Sequence, residues 1–109
     1  MAKIDSFLRL VIDQRASDLH FMAGSKPLIR HNGDLIPIPF RELGGLEARR
    51  FLYEILDDTD KADFERTQEL DFAYELTGAG RFRANMFMHR GGIGAVFRII
   101  PERIPTLTE

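Results

Sequence analysis

The sequence predicts an α+β domain in which helices pack on one side of an antiparallel sheet. Three observations lead to this class. Strand-like segments come in two runs joined by hairpin turns, the helical segments lie outside those runs, and 109 residues suffice for one core only. The predicted order is helix, three strands, two helices, three strands.

The first helix is predicted from apolar residues that recur at helical spacing between Ile4 and Val11. Asp5 or Ser6 is the expected N-cap, because a short side-chain oxygen can accept a hydrogen bond from the free N–H groups of the first turn. The helix is expected to end near Arg15.

Three strands are predicted next, at residues 18–22, 28–31 and 35–38. The sequence Asn32-Gly33-Asp34 separates the last two and supplies residues that accept positive φ angles, as a tight hairpin requires. The prolines in and after the third segment cannot donate to a strand ladder. This strand is therefore expected at an edge of the sheet or near its end.

The second half of the chain predicts two helices and three more strands. One helix runs from about Leu46 to Leu56, and a shorter one, capped by Thr59, runs through Phe64. A strand at residues 70–76 then leads into a long hairpin at residues 80–100.

Three arginines are expected on one face of that hairpin. Side chains alternate along a strand, so Arg81, Arg83 and Asn85 share a face. With a two-residue loop at Gly91-Gly92, Arg98 would lie directly opposite Asn85. Guanidiniums repel one another, so the cluster predicts a carboxylate or phosphate supplied from elsewhere. A solvated sheet surface is the plain alternative.

The strand before the hairpin leaves one question open. Its parity depends on how residues 77–80 turn, so either Asp71 and Glu75 or Phe72 and Tyr74 would share the arginine face.

Composition argues against several classes of function. The net charge of −2 and the isoelectric point near 5.9 argue against a nucleic-acid binder. The absence of cysteine excludes thiolate metal sites, and His20, His31 and His89 fall on separate predicted strands, so no metal is expected. No segment is long and apolar enough for membrane insertion, and the N-terminus does not resemble a signal peptide.

An ordered set of motifs runs through nearly the whole chain. The first half carries Ala16-Ser17-Asp18-Leu19-His20-Phe21, Gly24, Pro27, Arg30 and Gly33-Asp34-Leu35. The second half carries Asp71-Phe72-Ala73-Tyr74, Gly80-Arg81-Phe82-Arg83-Ala84-Asn85, Val96-Phe97-Arg98-Ile99-Ile100-Pro101 and Ile104-Pro105-Thr106-Leu107. This set resembles the PilT/GspE secretion ATPase family, and within it the type IV pilus retraction, or twitching motility, branch.

The resemblance implies that residues 1–100 form a PAS-like N-terminal domain and that residues 101–109 begin a linker to a RecA-like ATPase core. Such proteins form hexameric rings in which the N-terminal domain contacts the core of a neighbouring subunit. ATP and magnesium would be the cofactors of the full-length protein, with neither expected on this chain alone. Arg81 and Arg83, with Arg98, would contact the ATP phosphates. The implied partners are pilus or secretion machinery at the bacterial inner membrane, with a cytoplasmic, peripheral location.

One departure from the family limits what this chain can do. It contains no Gly-x-x-x-x-Gly-Lys-Ser/Thr, so these 109 residues are not expected to hydrolyse ATP unaided. Asp18 and His20 are expected to hold the local fold or an interface rather than to transfer protons.

Two other classes stay open at this point. A stand-alone PAS-like module would bind a ligand or a protein in a deep apolar pocket between sheet and helices. A sheet-surface RNA binder would use Phe87, which falls on the Arg81 face, although the acidic net charge counts against it.

Overall fold

A computed structural model describes residues 2–101 of the chain. Its elements follow the predicted order: α1 (Asp5–Asp13), β1 (Asp18–Met22), β2 (Leu28–His31), β3 (Asp34–Pro37), α2 (Gly45–Tyr53), α3 (Asp58–Thr67), β4 (Glu69–Leu76), β5 (Gly80–His89) and β6 (Gly92–Ile100). Except for Pro101, the linker predicted for residues 101–109 lies outside the described residues.

The strands form one six-stranded sheet in the order β3-β2-β1-β6-β5-β4, with every neighbouring pair antiparallel. The central pairing of β1 with β6 joins the two halves of the chain, since its partners are about 80 residues apart, as in Asp18 with Arg98. The helices pack on one face, here called the covered face. The predicted PAS-like α+β class is confirmed.

The covered face is filled by large apolar side chains. Phe21, Phe82 and Phe97 from three strands are fully buried, and Leu8 and Leu52 bring α1 and α2 onto them. Close packing of this kind supplies most of the free energy that holds a small domain together. The opposite face, here called the open face, carries no helix.

A polar contact also fixes the position of α1. The Tyr74 hydroxyl of β4 donates a hydrogen bond of 2.6 Å to Asp5 Oδ1. Burial and the neighbouring carboxylate raise the pKa of Tyr74, so the hydroxyl keeps its proton at neutral pH.

The first hairpin confirms its prediction. Asn32 and Gly33 both have positive φ, 51° and 87°, between the paired residues His31 and Asp34. The strand β3 lies at the edge of the sheet and ends at Pro37, where the missing N–H removes nothing from a central ladder.

The predicted register of the second hairpin is wrong by two residues. His89 pairs with Gly92, so the loop is Arg90-Gly91 rather than Gly91-Gly92. Neither loop residue has positive φ, and that conformation falls instead on Gly92, at 128°, as the first residue of β6. A shift of two residues preserves which face each side chain occupies but changes every partner.

Both predicted helix caps are also wrong. The N-cap of α1 is Ile4, without a side-chain hydrogen bond, because the Asp5 carboxylate accepts from Tyr74 instead. The N-cap of α3 is Asp57, whose side chain accepts from the Asp60 N–H at 2.8 Å, rather than Thr59. An aspartate two residues earlier offers the same hydrogen bond with a negative charge that also suits the helix dipole.

Candidate functional site

Four charged residues lie side by side across the open face. The strand registers place Asp18 of β1 between Arg30 of β2 and Arg98 of β6, and they place Arg98 directly opposite Arg83 of β5. These four residues are here called the arginine row. Directly opposed residues have Cβ atoms about 5 Å apart, so the row places one guanidinium on each side of the carboxylate and a third beyond Arg98.

Asp18 is the buried member of the row, with 2% of its surface exposed. Its Oδ2 accepts a hydrogen bond of 3.2 Å from Arg98 Nη2. Burial alone would raise the pKa of Asp18, but hydrogen bonds from Ser17 and Arg98 and the charge of Arg98 outweigh it and lower the pKa. The carboxylate is therefore ionised at neutral pH.

Arg30 is held within its own hairpin, since its Nη1 donates a 3.0 Å hydrogen bond to the Gly33 carbonyl. This contact uses one of the five guanidinium donors and ties Arg30 to the turn between β2 and β3. In the register of the sheet, Arg30 lies on the side of Asp18 opposite Arg98.

His20 lies two residues from Asp18 on the same face. Its Nε2 is 3.8 Å from Asp18 Oδ2, beyond hydrogen-bond reach, and has no hydrogen-bond partner among the described residues. Burial lowers the pKa of His20, and the charges of Arg30 and Arg98 lower it further against the opposing effect of Asp18. His20 is neutral at pH 7 and adds no positive charge to the row.

Arg83 is the member of the row that remains available. Among the described residues it makes no ion pair with an acidic side chain and no side-chain hydrogen bond, and it is exposed. With Arg98 it lines an open depression of about 310 Å³. Asp71, the carboxylate in that depression, accepts a 2.7 Å hydrogen bond from Asn85 Nδ2.

Arg81 lies apart from this pair. It shares the open face, but its cross-strand neighbours are Glu75 and Ile100, and it lines a separate depression of about 300 Å³. The sequence therefore predicted the shared face correctly, whereas the three-arginine cluster is a directly opposed pair, Arg83 and Arg98, plus one separate arginine. Arg98 faces Arg83 rather than Asn85 because of the two-residue register shift.

The structure shows which residues of β4 share the face of the arginines. Asp71 pairs with Asn85 and Glu75 with Arg81, so the acidic residues share the open face. Phe72 and Tyr74 turn toward the helices, where Phe72 packs edge-on to Phe97 at 6.4 Å between ring centroids.

Sequence reasoning did not find the ion pair between Asp18 and Arg98. The two residues are 80 positions apart, and only the pairing of β1 with β6 brings them together. The available signal was the alternation of Asp18 and His20 with the apolar Leu19 and Phe21, which places a carboxylate on the open face of a central strand.

The pair Arg83 and Arg98 has the chemistry to contact a phosphate. Two guanidiniums with free donors, side by side in an open depression, match the oxygens of a terminal phosphate group. These residues fit one end of a nucleotide only, because the phosphate-binding glycine loop and its lysine are absent from the sequence.

A stand-alone ligand-binding module would need a deep apolar pocket between sheet and helices, and the described residues form none there. The space between sheet and helices is filled by buried side chains such as Phe64, Phe82 and Phe97. A depression of about 500 Å³ beside Phe7 and Phe40 is open to solvent. No helix among the described residues has the length and apolarity needed to cross a bilayer.

Curated proteins are similar to the chain over nearly its whole length, although no protein-family model matches it. The type IV pilus retraction ATPase PilT of Pseudomonas aeruginosa is 41% identical over 97% of the chain. The type IV pilus ATPase PilU of the same organism is 33% identical over 98%, and a twitching motility protein of Neisseria gonorrhoeae is 33% identical over 95%. The chain spans 31%, 28% and 28% of these relatives.

Solved structures give the same result. The pilus retraction motor PilT with bound ADP matches 96% of the chain with a TM-score of 0.85 and 31% identity, and the chain covers 31% of it. The ATPase DotB of Legionella pneumophila matches 96% with a TM-score of 0.78, and the chain covers 30% of it; at 24% identity this likeness supports the fold alone. In sequence and in fold, the chain therefore matches the N-terminal region of PilT, a GspE/PilT family ATPase, over about 31% of that protein's length.

Proposed function

We propose that this chain is the N-terminal domain of a type IV pilus retraction ATPase, the motor of twitching motility. The observation that carries the proposal is 41% identity to a pilus retraction ATPase over 97% of the chain. Residues 1–100 form the domain, and residues 101–109 begin the linker to an ATPase core. The full-length protein is a hexamer that works in the cytoplasm, peripheral to the inner membrane, on the pilus machinery.

The domain helps to build the ring by packing against the ATPase core of a neighbouring subunit. It also couples the nucleotide state to the rotation of the two domains relative to one another. ATP and magnesium are held mainly by the core, and when bound they supply the phosphoryl group and the metal that neutralises its oxygens.

Arg83 contacts the ATP phosphates, with Arg98 beside it and Arg81 at the margin. Support comes from the open depression, where Arg83 is exposed and, among the described residues, has no acidic partner of its own. A guanidinium binds phosphate oxygens through two parallel hydrogen bonds and neutralises charge as the bond between the β- and γ-phosphates breaks.

Steady-state ATP hydrolysis by the full-length protein tests this role. Arg83→Ala is expected to lower kcat/KM by roughly 100-fold or more, the range for loss of a donor that stabilises transition-state charge. Arg50→Ala is the matched control, because Arg50 is an exposed arginine on α2, on the covered side, and turnover should be unchanged. Wild-type turnover by the Arg83→Ala hexamer would remove Arg83 from the mechanism.

The ring is tested separately from the chemistry. Native mass spectrometry of the full-length protein should show a hexamer for the wild type and for Arg83→Ala alike. A full-length protein that stays monomeric at the concentrations used for the activity assay would contradict the assembly part of the proposal.

A further inference from the structure

The contact between Arg98 and Asp18 uses one edge of the guanidinium. Only Nη2 of Arg98 donates to Asp18, and no other hydrogen bond from this guanidinium is found among the described residues. The side chain of Asp18 is 3% exposed, whereas that of Arg98 is 70% exposed. Arg98 is therefore anchored at one end, while most of its five donors face outward.

The surroundings of the Arg98 donors are set by its two neighbours in the arginine row. Arg98 lies between Asp18 on one side and Arg83 on the other. Like charges directly opposite each other on a sheet repel. Without a fixed anion, Arg98 would be free to change rotamer beside Arg83, and the ion pair with Asp18 restricts that freedom.

No other carboxylate in the row is placed to hold Arg98. Asp18 is the one carboxylate in the arginine row, and the carboxylate in the nearby depression, Asp71, is bonded to Asn85. The buried position of Asp18 on a central strand gives its oxygen a fixed location, because β1 is paired on both sides.

We propose that Asp18 is a positioning residue, which holds Arg98 by one Nη so that its remaining donors and those of Arg83 meet on the same phosphate group. This inference rests on the proposed function. It assigns Asp18 no direct contact with the nucleotide. Its effect is to fix the rotamers of Arg98 before the phosphate arrives, which removes part of the entropy cost of binding.

The lowered pKa of Asp18 is consistent with this role, since the carboxylate keeps its charge at neutral pH. His20 is not required for it, because its Nε2 is 3.8 Å from the carboxylate and the ring is neutral. The pairing therefore depends on Asp18 and Arg98 themselves.

A double-mutant cycle in the full-length protein tests the proposal. The measurement is the dissociation constant of a non-hydrolysable ATP analogue by calorimetry, for Asp18→Asn, Arg98→Ala and the double variant. Asp18→Asn should weaken binding roughly 3- to 10-fold, the cost of immobilising one long side chain. Arg98→Ala should weaken it about 10-fold or more, because a charge-assisted hydrogen bond is lost.

The double variant distinguishes positioning from a general structural role. If Asp18 acts through Arg98, Asp18→Asn should have no further effect once Arg98 is alanine. Equal weakening by Asp18→Asn in both backgrounds would overturn the proposal, and so would wild-type affinity in Asp18→Asn.

Arg98→Lys provides a test that does not depend on the folding of Asp18→Asn. A lysine can still neutralise Asp18, but its single ammonium lacks the fork needed to bridge a carboxylate and a phosphate. Binding should therefore weaken about as much as in Arg98→Ala. Wild-type affinity in Arg98→Lys would contradict the bridging geometry.

The same measurements separate this proposal from the one on which it rests. If Arg83→Ala and Arg98→Ala both bind the analogue like the wild type, the phosphate-contact role itself is wrong. If both weaken binding and Asp18→Asn does not, only the positioning role of Asp18 is wrong.

Discussion

The two faces of the sheet use the same six strands but are held by different forces. The covered face is a continuous apolar core in which residues such as Phe82 and Phe97 are fully buried. The open face carries the arginine row, in which the ion pair of Asp18 with Arg98 is the main internal contact. Stability should therefore depend mostly on the covered face, while the open face keeps charged groups available for a ligand.

The largest stability effect is expected from Phe97→Ala on the covered face. Removal of a fully buried phenylalanine should lower the free energy of unfolding by about 3–5 kcal/mol, because transfer energy is lost and a cavity remains. Urea denaturation of the 109-residue chain measures this. Val96→Ala is the matched control, since Val96 is the adjacent, half-buried residue on the open face, and it should cost clearly less. Equal costs would contradict the division between the faces.

Asp18→Asn is expected to have the next largest effect, because Asp18 is the buried charge of the open face. At pH 7 the substitution should lower the free energy of unfolding by about 1.5–3 kcal/mol, the value of a hydrogen bond to a charged group. The folded-state pKa lies below the ordinary 3.8, so the stabilisation is complete above 3.8 and is lost as the pH falls through the folded value.

The pH dependence gives this prediction its sharpest form. The difference between wild type and Asp18→Asn should be constant from pH 7 to about pH 5 and should shrink below the ordinary pKa of 3.8. Denaturation curves of both proteins at each pH measure the difference. A gap that widened toward acid would mean that folding raises the pKa of Asp18 instead of lowering it.

Tyr74→Phe tests a polar contact on the covered side. Loss of the hydroxyl that donates to Asp5 should lower the free energy of unfolding by about 1 kcal/mol and loosen α1 from β4. Asp5→Asn keeps an acceptor in place and should cost less. Hydrogen exchange of the α1 amides provides the local readout, and unchanged protection of α1 in Tyr74→Phe would show that packing alone fixes the helix.

The order of elements and the faces of the strands could be predicted because they depend on local periodicity. The turn at Asn32-Gly33 fixed its hairpin, since both residues accept the required positive φ. The loop at Arg90-Gly91 could not be located in the same way. Consecutive glycines at 91 and 92 are compatible with several turns. In the folded chain Gly92 has positive φ and Gly91 does not.

The site was predicted in part for the same physical reason. Alternation along β5 placed Arg81 and Arg83 together on the open face, but the partners of Arg98 depended on the register of β6 with two other strands. Its ion pair with Asp18 is a long-range contact that no local pattern encodes. The position of Asp71 and Glu75 on the open face likewise depended on the turn at residues 77–80, whose geometry the sequence left open.

The smallest stability effect is expected from Arg83→Ala, and its sign is informative. Arg83 is exposed, and among the described residues it has no ion-pair partner and lies directly opposite Arg98. Removal of a like charge at that position should leave the free energy of unfolding within about 0.5 kcal/mol of the wild type, or raise it slightly. Arg98→Ala is the matched comparison, because it leaves the buried carboxylate of Asp18 without its partner and should destabilise the domain by about 1.5–3 kcal/mol.

These two arginines face each other across one pair of strands, so secondary structure and exposure are closely matched between the variants. A difference in sign would show that one arginine serves the fold and the other is held in the structure at a small cost. Such a cost is expected for a group whose partner is supplied by another domain or chain. Equal destabilisation by both substitutions would mean that Arg83 also has a stabilising contact within the domain, and the case for an external phosphate at Arg83 would lose its structural support.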